Sequence, residues 1–198
     1  TSINCLNNPL GDEVQDIIKV FEETPRLRTL CGLEEGVEHI DWSNSGKGPA
    51  DVALLTADLK AGRAAAALTS MNCLNNPLGE GVHTIIKVFE ETPRIRTLCG
   101  LEEGVEQIDW SKSGKGPVDV ALLAAEVKAG RAAAAVASLR CGNNPGIVGK
   151  LDWRGNVETP DAHAEVFKEL TDSLKTSQVT EADFSSCGIG PVALGHLS

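Results

Sequence analysis

Two stretches reading Ser-Gly-Lys-Gly-Pro, at 45–49 and 113–117, come nearest to a chemical motif in this chain. A phosphate-binding loop needs G-x-x-x-x-G-K-[ST]. Here a glycine follows Lys47 and Lys115, so the pattern fails, and each stretch reads as a turn with an exposed lysine. The four histidines, His39, His83, His163 and His196, share no common spacing. No serine sits in a nucleophile-elbow context. The acidic pairs Glu22–Glu23 and Glu34–Glu35 read as solvated surface, not as a general acid and base. Six cysteines are present, but no C-x-x-C pair or His/Cys cluster has zinc-site spacing. The expectation is a chain with no catalytic, cofactor-binding or metal-binding residues.

Charge narrows the partners. The 18 Lys and Arg against 28 Asp and Glu give −10 over 198 residues. Nucleic acid is then a poor partner, because phosphate contacts need clustered cations, and here they are scattered. The longest small-apolar run, "AAAAL" at 64–68, is far short of the roughly 18 residues of a membrane span. There is no initiator Met and no charged-then-apolar leader, so the chain is expected to be a processed or partial version of something longer.

The elements that position these residues come from an internal copy. Thr1 matches Thr69, Trp42 matches Trp110 and Arg63 matches Arg131, always 68 apart, and 13 of the 68 positions differ. His39 becomes Gln107, and His83 replaces Gln15. The phrase "NCLNNPL" at 4–10 recurs at 72–78, with a degraded version "RCGNNPG" at 140–146. Cys5, Cys73 and Cys141 share one phase and Cys31 and Cys99 another, each among apolar residues. They are expected to be reduced, buried thiols of an intracellular, reducing compartment, most simply the cytoplasm.

Each 68-residue unit splits into two similar halves. Apolar residues stand at relative positions 1, 4 and 6, as Val37, Ile40, Trp42 and as Leu68, Met71, Cys73, which predicts a short strand. A small polar residue follows, then a Gly, then a helical stripe such as Val82, Ile85, Ile86, Phe89 or Val52, Leu55, Leu59. Pro49 and Pro117 suit a first helical turn. "ETPR" at 23–26 and 91–94 stops one helix, and the Gly of "KAGR" at 60–63 and 128–131 terminates the other.

This pattern resembles leucine-rich repeats of the ribonuclease-inhibitor-like type, in a long-repeat variant common in unicellular eukaryotes and algae. The resemblance covers nearly the whole chain. It implies an α/β solenoid, a horseshoe with a parallel concave sheet and convex helices, with six or seven strands. One solenoid over 1–198 is expected, its half-repeats starting near 37, 68, 105, 136 (truncated), 148 and 179, with uncapped ends. The family places an Asn in the turn after each strand to bond backbone groups; the matching positions here are Asn8, Ser45, Asn76, Ser113, Asn144, Asn156 and Cys187. "RTLCGL" at 28–33 and 96–101 reads as an added extended piece with Cys inward. Trp42, Trp110 and Trp153 should be interior.

The outward strand positions then form a column of Asn4, Asp41, Asn72, Asp109, Arg140, Asp152 and Asp183, flanked by Glu38, His39, Glu106, Gln107, Lys150 and Glu181. The column reads either as a hydrated sheet surface or as an acidic docking strip for a basic segment of another protein, which Arg140, paired with Asp109 or Asp152, would divide. The resemblance implies a non-catalytic protein–protein interaction scaffold. The alternative is a structural or accessory subunit of a large multiprotein assembly, its ends covered by further repeats or neighbouring subunits.

Overall fold

A computed structural model describes residues 1–197. The protein is mixed α/β, with helices and small parallel sheets, in two compact units, Thr1–Gly100 and Leu101–Ser198.

The first unit holds α1 (Val14–Glu23), β1 (His39–Asp41), α2 (Pro49–Ala61), β2 (Ser70–Asn72) and α3 (Gly81–Glu91). β1 and β2 are parallel, with Ile40 beside Met71. The "RTLC" pieces are extended, as expected: Thr29 and Cys31 bridge Ser2 and Asn4, while Thr97 and Cys99 bridge Ser70 and Asn72. Both cysteines are buried. α1 and α3 are amphipathic, burying Phe21 and Ile85, Val88 and Phe89. α2 lies between them and is buried almost all round, its apolar residues joined by buried Asp51, Thr56 and Asp58. Its N-terminus is closed by Asp51, whose carboxylate accepts the Gly48 N–H at 2.9 Å and the Asn7 N–H at 2.7 Å. Gly62 ends it in the left-handed region. Arg63 then reaches back to the carbonyls of Phe21, Thr24 and Leu27, with its guanidinium 4.4 Å from the Phe21 ring centre.

The second unit holds β3 (Gln107–Asp109), α4 (Pro117–Ala129), β4 (Ser138–Arg140), β5 (Lys150–Leu151), β6 (Val157–Thr159), α5 (Ala164–Lys175), β7 (Glu181–Asp183) and α6 (Pro191–Gly195). β3, β4 and β7 make one parallel sheet in that order. The expected strand start near 148 is corrected here. β4 neighbours β7 directly, so 136–178 is one half-repeat carrying an insertion, the antiparallel β5–β6 hairpin. The loop before the hairpin folds onto the turn after β7: the Val148 N–H donates to the Cys187 carbonyl at 3.1 Å. Gly188 permits this, because a Cβ there would meet the Pro145 oxygen at 2.5 Å and the Gly149 nitrogen at 2.6 Å. Trp42 and Trp110 are interior, each 7 % exposed. Trp153 is not. It sits on the hairpin turn, 86 % exposed, with the Arg154 guanidinium 4.5 Å from its ring centre.

Candidate functional site

On β1 to β4 the strand faces divide as two-residue alternation requires, whereas all three residues of β7 are exposed. On β1, His39 and Asp41 are exposed around half-buried Ile40; on β3, Gln107 and Asp109 are exposed around buried Ile108. Arg140 is exposed on β4, and Glu181 and Asp183 on β7. Glu38 and Glu106, just before β1 and β3, are exposed too. The registers set Asp41 beside half-buried Asn72, and Asp109, Arg140 and Asp183 in one row, with Gln107, Ser138 and Glu181 in the row next to it. Arg140 thus lies between Asp109 and Asp183. Lys150 and Asp152 do not join the row. They belong to the hairpin, where Lys150 pairs with Glu158 at 3.1 Å.

The column residues have a second task that their alternation of Asp and Asn did not reveal. Asn4, Asp41, Asn72, Asp109, Asp152 and Asp183 each accept the backbone N–H two residues on, at 2.8–3.3 Å. Each is an Asx turn, for which either side chain serves. Three residues after each parallel-strand column position the backbone takes a positive φ, at Asn7, Asn44, Asn75, Lys112, Asn143 and Ser186. An i-to-i+2 scan for Asp and Asn after strands would have found the turns. Arg140 cannot accept such a bond.

One residue further on comes the ladder of turn amides. Asn76 donates to the carbonyls of Trp42, Cys73 and Leu74 at 2.8–3.1 Å and accepts from the N–H groups of Ser45 and Lys47. Asn144 repeats this with Trp110, Cys141 and Gly142, and with Ser113 and Lys115. Each asparagine ties two successive turns together. Asn156 does not belong to the ladder; it closes the hairpin turn against Asp152. The lysines of the two "SGKGP" turns also correct the reading. Lys47 and Lys115 are buried, 5.5 Å from the ring centres of Trp42 and Trp110. Lys47 satisfies its charge by donating to the Asn7 side chain at 2.8 Å.

The turn bonds shift the carboxylates. Hydrogen bonds from Ser43, Ser111 and Ser185 hold Asp41, Asp109 and Asp183 below the ordinary aspartate range, and Arg140 adds to this at the last two. A depressed folded value means stabilisation that is complete above the unfolded value of about 3.9 and lost as pH falls through the folded value. Melting temperature should therefore drop below about pH 4. The Asp41→Asn/Asp109→Asn/Asp183→Asn variant, which keeps the acceptors, should show a flatter acid limb. An acid limb as steep as the wild type's would contradict this assignment.

Cys31, Cys73, Cys99, Cys141 and Cys187 are buried packing groups; Cys5, expected to be buried with them, is half-buried. Burial pushes the Cys141 thiol up to about 12, and burial with the Asp58 carboxylate nearby pushes Cys31 higher still. Thiolate chemistry is suppressed at both. The histidines stay apart: His39 is 3.9 Å from Glu38 and His83 is 3.9 Å from Glu80, both pairs solvated. Among the described residues no group of three His, Cys, Asp or Glu could hold a metal ion, and no helix is long and apolar enough to cross a membrane. No protein-family model matches the chain, and no curated protein matches it.

Proposed function

We infer that the chain is a leucine-rich-repeat-type solenoid, with parallel strands on a concave side and helices on a convex side, acting as a non-catalytic protein–protein interaction scaffold. The carrying observation is the row Asp109–Arg140–Asp183: three charged side chains in register on an exposed strand face. Such rows offer a partner a flat, patterned surface at no cost to the core beneath. With Glu181 beside them, the row suits a basic segment that pairs with the carboxylates. Buried thiols with suppressed reactivity fit a reducing, intracellular setting.

The Asp109→Asn/Asp183→Asn variant tests this, because it removes charge and keeps both turn acceptors. Binding of the copurifying partner should weaken roughly tenfold, or about 1.4 kcal/mol, with the melting temperature at neutral pH held. Undiminished binding would sink the proposal. Trp153 favours a second reading, an accessory subunit of a large assembly. An 86 % exposed tryptophan on a hairpin, beside an arginine, is the composition of an interface anchor.

A further inference from the structure

Gly146 stands where the first copy has Leu78, 68 positions earlier. Leu78 is fully buried in the turn between β2 and α3. Nothing in the backbone demands a glycine at 146. Its φ lies outside the left-handed region, and a Cβ there would be in ordinary contact, 3.4 Å from the Leu151 Cδ1.

The second unit thus lacks a side chain that the first buries, and the segment that follows does not close the gap. In the first unit the turn runs straight into α3, and a Cβ on Gly81 would already lie 3.2 Å from the Pro49 Cα. In the second unit the β5–β6 hairpin intervenes, and α5 starts only at Ala164. A cavity of about 310 Å³ lies between the second "SGKGP" turn and the hairpin.

Its walls combine two chemistries. Pro117, Pro145 and Leu151 are apolar, while Lys150 and His163 carry N–H donors. Among the described residues no Asp or Glu lines it, in a chain whose balance is −10. Gly114 and Gly146 line it too, and neither N–H finds an acceptor among the described residues. Gly146 is half-buried, so its donor calls for an acceptor. The Lys150 ammonium is paired with Glu158 at 3.1 Å, but both side chains are exposed, and such a pair yields readily to a better acceptor.

We propose that this cavity binds a small organic monocarboxylate with an apolar body, an aromatic or branched-chain acid. The carboxylate accepts from Lys150, His163 and the Gly146 N–H, and the body lies against Pro117, Pro145 and Leu151. Charge-assisted bonds fix the orientation and the apolar walls supply the burial. The volume is at the lower end for small-molecule sites, about 300–1,000 Å³. A bare inorganic anion would leave the prolines and the leucine uncovered, and a neutral apolar molecule would leave the donors unmet. Asp109, Arg140 and Asp183 do not line the cavity, so this binding needs no protein partner.

Benzoate is the probe, titrated into the ¹⁵N-labelled full chain and followed by amide chemical shifts. Saturable shifts should appear at Gly114, Gly146, Gly149 and Lys150, with roughly millimolar affinity. Inorganic phosphate and benzamide each carry one half of the recognised chemistry and should bind at least about tenfold more weakly. Gly146→Leu restores the side chain of the first copy and should abolish the shifts. Lys150→Met should weaken benzoate about tenfold. It alters an exposed side chain, so it decides the matter if Gly146→Leu melts early. An absence of saturable shifts, phosphate or benzamide binding as tightly as benzoate, or undiminished binding by Lys150→Met or by a folded Gly146→Leu would each overturn the proposal.

Discussion

Asn76→Ala should lower the stability of the chain by about 3–5 kcal/mol, near the upper end for a single substitution. The side chain is buried and engages five backbone groups, three carbonyls and two N–H groups, from two successive turns. Truncation strands those groups where water does not readily replace the amide, at about 1–3 kcal/mol for each one left unsatisfied. For a chain of this length that corresponds to a melting temperature lower by roughly 10 °C. Asn8 is the internal control. It carries the same phrase and donates to the carbonyls of Cys5 and Leu6, but it is exposed. Asn8→Ala should cost no more than about 1 kcal/mol, since water takes over its partners. Urea denaturation of the two variants separates them. Equal losses would show that the phrase matters only locally and that the ladder joining the turns contributes nothing.

Asp58→Ala is the second large effect, at about 3–5 kcal/mol. The carboxylate is 1 % exposed at the far end of α2. One oxygen accepts the Leu30 N–H at 2.8 Å; the other accepts the Thr29 hydroxyl at 2.5 Å and the Cys31 N–H at 3.1 Å. It anchors the "RTLC" piece to the helix, accepting the Leu30 N–H and sharing the Cys31 N–H with the Thr29 hydroxyl oxygen, which lies 3.0 Å from that nitrogen. Asp58→Asn keeps one acceptor but turns an amide toward the remaining donors, so its loss should be intermediate. Hydrogen exchange gives a local readout: the Leu30 and Cys31 amides should exchange faster in Asp58→Ala by more than the global destabilisation explains. Protection that falls uniformly across the unit would assign Asp58 to general packing.

The periodicity of this chain was sufficient by itself for much of its anatomy. Alternation at Val37, Ile40 and Trp42 specified a strand and its buried side. Spacing at Val82, Ile85 and Phe89 specified a helix stripe, and Pro and Gly marked helix limits. These are local properties, set by backbone geometry and side-chain direction over a few residues. The 68-residue copy also showed which positions tolerate change.

What the tertiary structure alone decided lies where distant residues meet. Lys47 looks solvent-exposed in its turn, yet Asn7, 40 residues earlier, and the Trp42 ring give its ammonium a partner inside. Trp153 follows the same Leu/Ile-Asp pair as its buried relatives, but only the pairing of β4 with β7 shows that its segment is an inserted hairpin. The same pairing removes Lys150 and Asp152 from the strip and sets Arg140 between Asp109 and Asp183. Local pattern records which side of a strand faces inward. Which strand lies next to it depends on loops whose closure costs little more when they are long, and that is decided only by the packed whole.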